Sequence, residues 1–65
     1  MITETRFKEI CREEGATEAA AEEYWQFELV TRKVVPHIDS DNEEIARQTI
    51  QSMLVSFPED YQKED

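Results

Sequence analysis

Three residues punctuate this chain: its single glycine, Gly15, and its two prolines, Pro36 and Pro58. Glycine takes the left-handed C′ conformation at no steric cost, so Gly15 is placed to end one helix. The ring of Pro36 disfavours helix in the residue before it, and Pro58 closes a further segment in the same way. Between these breakers lie three helical segments, with no internal repeat and no linker long enough to separate domains. The expectation is an all-α, three-helix domain over residues 1–58, followed by a short acidic tail over 59–65.

Local signals fix the ends of each segment. Thr3 is an N-cap for a first helix reaching about Glu14, in which Phe7, Ile10 and Cys11 share one face at i, i+3, i+4 spacing. Thr17 caps a second helix, with Glu18 favourably placed against its dipole, running to about Val35. Ser40-Asp41-Asn42-Glu43 reads as a capping box for the third, with Ile38 as a nearby apolar anchor. Ala46, Ile50, Met53 and Phe57 then mark its core face, with Leu54 flanking. The tail "PEDYQKED" has one aromatic and no apolar periodicity, which predicts a segment fraying in solvent.

The second helix carries more apolar surface than two short neighbours cover. Ala20, Tyr24, Phe27, Val34 and Val35 form one broad face, while Trp25 and Leu29 fall to its side, next to Glu18 and Glu22. Two readings follow: Trp25 is a partly exposed core member, or Trp25 and Leu29 belong to an interface, where aromatic anchors dominate binding. Chain length bears on the choice, because a domain of 65 residues buries only about 60% of its unfolded surface. Small folds find further support in disulfides, metals or self-association. With one cysteine, Cys11, and one histidine, His37, neither an intramolecular disulfide nor a Cys/His zinc site can form. Self-association remains, and a homodimer through Trp25 and Leu29 is expected.

Cys11, Gly15, Thr17 and Ala21 have the spacing of a helix-turn-helix corner: a small residue, a turn glycine, a capping hydroxyl and an apolar residue on the second helix. The corner resembles that motif over about fifteen residues, which would imply a DNA-binding regulator. Glu18, Glu22 and Glu23 stand where the recognition helix would meet phosphates, and each opposes the electrostatic attraction behind most nucleic-acid affinity. No direct nucleic-acid binding is expected.

Catalytic and metal chemistry find no footing. Cys11 lies on an apolar face without a cationic setting, so it reads as a structural cysteine rather than a nucleophile. His37 follows Pro36 in a connecting loop, where a solvated ring is the ordinary outcome. "DSDNEE", residues 39–44, alternates oxygen ligands, but an EF-hand loop starting at Asp39 needs glycine and glutamate where the chain has Glu44 and Ile50. No catalytic, cofactor or metal-binding residue is expected, and the chain reads as non-enzymatic.

Charge gives the remaining indication. Sixteen acidic against seven basic residues leave a net charge of −9, displayed on Glu13, Glu14, Glu18, Glu22 and Glu23, on the Asp39–Glu44 cluster, and on the tail. Such a surface either keeps the chain soluble or complements a basic partner, including a protein that normally holds nucleic acid. No apolar run approaches a membrane span, and charge replaces the apolar core of a signal peptide, so a cytoplasmic protein is expected. In size, acidity and lack of catalytic residues the chain is similar to phage accessory proteins and host-takeover inhibitors, a likeness without residue correspondence. The function expected is an accessory regulator or inhibitor that contacts a basic surface of a protein partner. Glu18, Glu22, Glu23, Trp25 and Leu29 are the candidate interface. The alternatives are a self-assembling homodimeric scaffold component and a helix-turn-helix DNA-binding regulator.

Overall fold

The computed structural model describes residues 2–34 and 42–62. It contains three helices, α1 (Glu4–Glu13), α2 (Glu18–Val34) and α3 (Glu43–Ser56), followed by a 3-10 turn at Pro58–Asp60. The all-α, three-helix fold expected from the breakers is the one observed. The Val35 end of α2, Pro36, His37, Ile38 and the Asp39–Asp41 portion of the acidic loop lie outside the described residues.

Both predicted hydroxyl caps are present. Thr3 Oγ1 accepts from the Arg6 amide at 3.2 Å and Thr17 Oγ1 from the Ala20 amide at 3.1 Å, each satisfying a first-turn donor that no helical carbonyl reaches. Helix α1 ends in a Schellman turn: Ala16 N–H donates to Cys11 O at 2.9 Å and Gly15 N–H to Arg12 O at 3.0 Å. The turn requires Gly15 to adopt φ +101°, a region closed to most residues with a β-carbon. Ala16, the residue after it, is buried against the same core as Cys11, which supplies the apolar contact such turns often carry.

The start of α3 corrects the sequence reading. Its N-cap is Asn42, whose Oδ1 accepts from the amides of Glu44 at 2.9 Å and Ile45 at 3.4 Å. A capping box led by Ser40, which lies outside the described residues, would start the helix earlier and turn Glu43 back onto it. Instead the Glu43 carboxylate accepts from Arg6 Nη2 of α1 at 2.9 Å.

Helix α1 is the hub. It packs on both α2 and α3, which touch each other only marginally. Phe7, Ile10 and Cys11 of α1 meet Ala20, Ala21, Tyr24 and Trp25 of α2 and Ile50 and Leu54 of α3 in one core, with Ala16 and Ile2 completing it. Leu29, Ala46 and Met53 are partly buried at its edge. Phe57, expected on the core face of α3, is 48% exposed. It is the C-cap of α3, where the chain turns off the helical course that would have carried its ring inward.

Helix α2 presents a different face from the expected one. The buried face is rotated roughly a quarter turn toward Trp25 and Leu29, leaving Phe27 60% and Val34 74% exposed. Ala20 and Ala21 explain the choice, because small side chains let α1 approach while Trp25 reaches over Phe7. Those two rings lie 5.5 Å apart between centroids and tilted by 55°, a favourable aromatic geometry. The outer face of Trp25 is covered by Arg32, whose guanidinium carbon lies 5.0 Å from the ring centroid. Arg32 also donates to Ile2 O at 3.2 Å and pairs with Glu28. A cation stacked on an indole and bonded at its edges closes this side of the core.

The segment after α3 does not fray through Gln62. Thr17 N–H donates to Asp60 O at 3.0 Å and Gln62 N–H to Gly15 O at 2.6 Å, making an antiparallel bridge between Ala16 and Tyr61. The Tyr24 hydroxyl donates to Asp60 Oδ2 at 2.9 Å. Backbone groups left free at the α1–α2 corner find partners here, which a periodicity argument has no means of detecting. Residues 63–65 lie outside the described residues.

Candidate functional site

The expected acidic interface is dispersed by internal pairing. Glu18 pairs with Arg12 and Glu22 with Lys8, so two of the three α2 glutamates are bonded back to α1. Lys8 also holds Glu4 at 2.7 Å. Glu13 and Glu14 likewise turn inward to α3: Arg47 binds Glu13 at 2.8 Å and Glu14 at 2.6 Å, and Arg6 of α1 reaches Glu13 at 3.2 Å as well as Glu43. Gln51 adds a bond to Glu14 at 2.8 Å. The α1 and α3 helices therefore exchange Arg–Glu pairs in both directions. Bonding to Arg47 and Arg6 pulls the Glu13 carboxyl below the usual range, Gln51 and Arg47 do the same at Glu14, Lys8 at Glu22 and Arg6 at Glu43. These exposed pairs orient the helices more than they stabilise them, since solvent screens each of them.

Trp25 and Leu29 are placed differently from an interface pair. Trp25 is 7% exposed, inside the core between Phe7 and Arg32, and Leu29 packs on the core edge. Of the five expected interface residues, Glu23 stands apart: it is exposed, and among the described residues no cation lies within ion-pair range of it.

Glu23 lies on the rim of a groove that sequence reasoning missed. Tyr24 and Phe27 of α2, Met53 of α3 and its C-cap Phe57 line an opening of about 250 Å³, and Glu59 and Asp60 of the 3-10 turn complete its edge with Glu23. Among the described residues no cation pairs with Glu59 or Asp60 either. The groove exists because α2 and α3 lean on α1 rather than on each other, and the 3-10 turn closes one end. One signal was available in the sequence: Glu23, Phe27, Val30 and Val34 recur at i, i+4, i+7 and i+11, a second stripe on α2. Val30 is 59% exposed, and the stripe continues from the groove along the helix.

Tyr24 anchors the acidic edge. Its ring is 3% exposed while its hydroxyl reaches Asp60, and burial together with that carboxylate drives its acidity well below that of an ordinary phenol. The hydroxyl stays protonated and fixes Asp60. Cys11, fully buried, has its thiol pushed up to about 11 by burial, the reverse of the shift a nucleophile needs. Among the described residues no three of His, Cys, Asp or Glu converge as metal ligands, and no helix is long and apolar enough to cross a membrane.

No protein-family model, curated protein or solved structure matches this chain.

Proposed function

We propose that this chain is a non-enzymatic protein-binding module that acts inside the cell by occupying a basic surface of a partner protein, as a regulator or inhibitor. The observation that supports it is the distribution of acid. Glutamates on the α1 side are committed to internal arginine and lysine pairs, whereas Glu23, Glu59 and Asp60 stand together at an open apolar groove. Carboxylates held on a rigid frame attract cations and, at suitable spacing, substitute for phosphates, so a protein that normally holds nucleic acid is within the partner class. In this the chain acts in the manner of the small acidic phage proteins it resembles in size and charge. Direct nucleic-acid binding is disfavoured by the net charge of −9 and by the carboxylates at the start of α2.

Self-association is a second reading, favoured by the exposed Phe27, Val30 and Val34 of α2. It uses the opposite flank of α2 from the expected Trp25 and Leu29, because Trp25 is inside the core.

The test is capture from host lysate on the immobilised chain at about 0.1 M and about 1 M salt, which shorten the screening length from about 10 Å to about 3 Å. Basic proteins retained at the lower salt and released at the higher support the reading. Capture indifferent to salt, or of acidic proteins alone, defeats it.

A further inference from the structure

We infer that the groove between α2, α3 and the 3-10 turn docks a cationic amphipathic helix of the partner, whose apolar anchor seats among Phe27, Met53 and Phe57 while flanking lysines or arginines meet Glu23, Glu59 and Asp60. This rests on the protein-binding reading above and specifies its site and occupant.

Size argues for a side chain rather than a small molecule. An opening of about 250 Å³ is below the roughly 300–1,000 Å³ of ligand pockets, yet it admits one large apolar side chain. Phe27 and Phe57 already pay the solvent exposure, at 60% and 48%, so covering them removes apolar area from water. Shape argues for a helix: the track from Glu23 to Val34 along α2 follows helical spacing for about 16 Å at 1.5 Å per residue. A helix laid beside it presents anchors at matching intervals, the helix-in-groove mode of recognition. Charge decides between occupants. Three carboxylates without a cationic partner among the described residues rim the groove, and a second copy would bring the same three carboxylates and a further −9 of charge against them. Like charges face to face are disfavoured, while a cationic helix is steered in.

The experiment titrates the intact chain with a synthetic helical peptide of leucine and lysine at amphipathic spacing. Its comparators are a twin with glutamate for lysine and a scrambled peptide of identical composition. Backbone amide NMR shifts locate binding. The expected result is shifts confined to residues 23–34, 53–57 and 59–60, with affinity falling about tenfold for Phe27→Ser and for the double change Glu23→Gln/Glu59→Gln. The double change Glu9→Gln/Glu44→Gln removes the same charge outside the groove and should alter affinity less than about twofold. Should Phe27→Ser fail to fold, the two charge doubles carry the comparison.

Equal binding of the glutamate twin or the scrambled peptide overturns the proposal, as does absence of groove shifts at about 1 mM peptide. Self-association that Phe27→Ser abolishes would give the groove to a second copy and overturn it too. Equal weakening by both charge doubles overturns the groove as well. If salt-sensitive capture from lysate then persists in Phe27→Ser, the protein-binding reading stands and only the groove has failed.

Discussion

The ring of Tyr61 lies against the α-carbon of Gly15, where an added β-carbon would stand 2.9 Å from Tyr61 Cζ. Gly15 therefore serves two constraints at once: the left-handed turn that ends α1 and the close approach of the segment that crosses it.

The two constraints separate experimentally. Gly15→Ala should destabilise the fold by about 1–3 kcal/mol in urea denaturation, combining the positive-φ penalty with displacement of the ring. In a Tyr61→Ala background the same change should cost less, because only the backbone penalty remains. Equal costs in both backgrounds would mean that the ring yields freely.

Tyr24→Phe removes the hydroxyl bonded to Asp60 and leaves the buried ring in place. A stability loss of about 0.5–1.5 kcal/mol is expected, measured by thermal or urea unfolding. Tyr24→Phe should also broaden or shift the amide resonances of Asp60 and Thr17, since the carboxylate is fixed by that hydroxyl. A variant as stable as the parent would show that the bond contributes nothing net.

Acid should loosen the α1–α3 pairing. Glu13, Glu14 and Glu43 sit below the ordinary carboxylate value of 4.5 because Arg47, Gln51 and Arg6 bind their charged forms. A depressed folded-state value contributes stability above the unfolded value and loses it as pH falls through the folded one. Below about pH 4.5 the melting temperature of the parent should therefore fall more steeply than that of Arg47→Met. Parallel curves would show the pairs to be energetically silent.

Cys11 should be protected. With the thiol buried and its acidity weakened, alkylation by iodoacetamide at pH 8 should proceed only through unfolding and accelerate with urea. Rapid modification in native buffer would contradict the buried position.

Local chemistry was legible in the sequence, and the relations between helices were not. Thr3, Gly15 and Thr17 act on backbone groups within four positions, so their roles follow from the residue and its neighbours. Phe7, Ile10 and Cys11 are the apolar side chains of a short helix, which leaves one face to bury. On α2 two stripes compete, and the choice of Trp25 over Phe27 depends on α1 approaching across Ala20 and Ala21 and on Arg32 covering the indole. Asn42 caps α3 and Glu43 bonds Arg6 on another helix, a partner that the local capping pattern gives no sign of. Glu18 and Glu22 read as a free acidic face until Arg12 and Lys8 were brought beside them. The groove depends on where α2 and α3 part, a tertiary fact to which only the Glu23–Val34 stripe points.

The bridge between Ala16 and Tyr61 has a kinetic meaning. The Schellman turn and the Thr17 cap join neighbours in sequence and close at little entropic cost, whereas the bridge must bring together Ala16 and Tyr61, 45 positions apart. On that ground the corner is expected to form in the folding nucleus and the bridge after it. Thr17→Ala should thus slow refolding, while Tyr61→Ala should leave refolding unchanged and speed unfolding in a denaturant chevron. A bridge that behaves in this way is a latch: it sets how long the native state lasts, not how fast it is found.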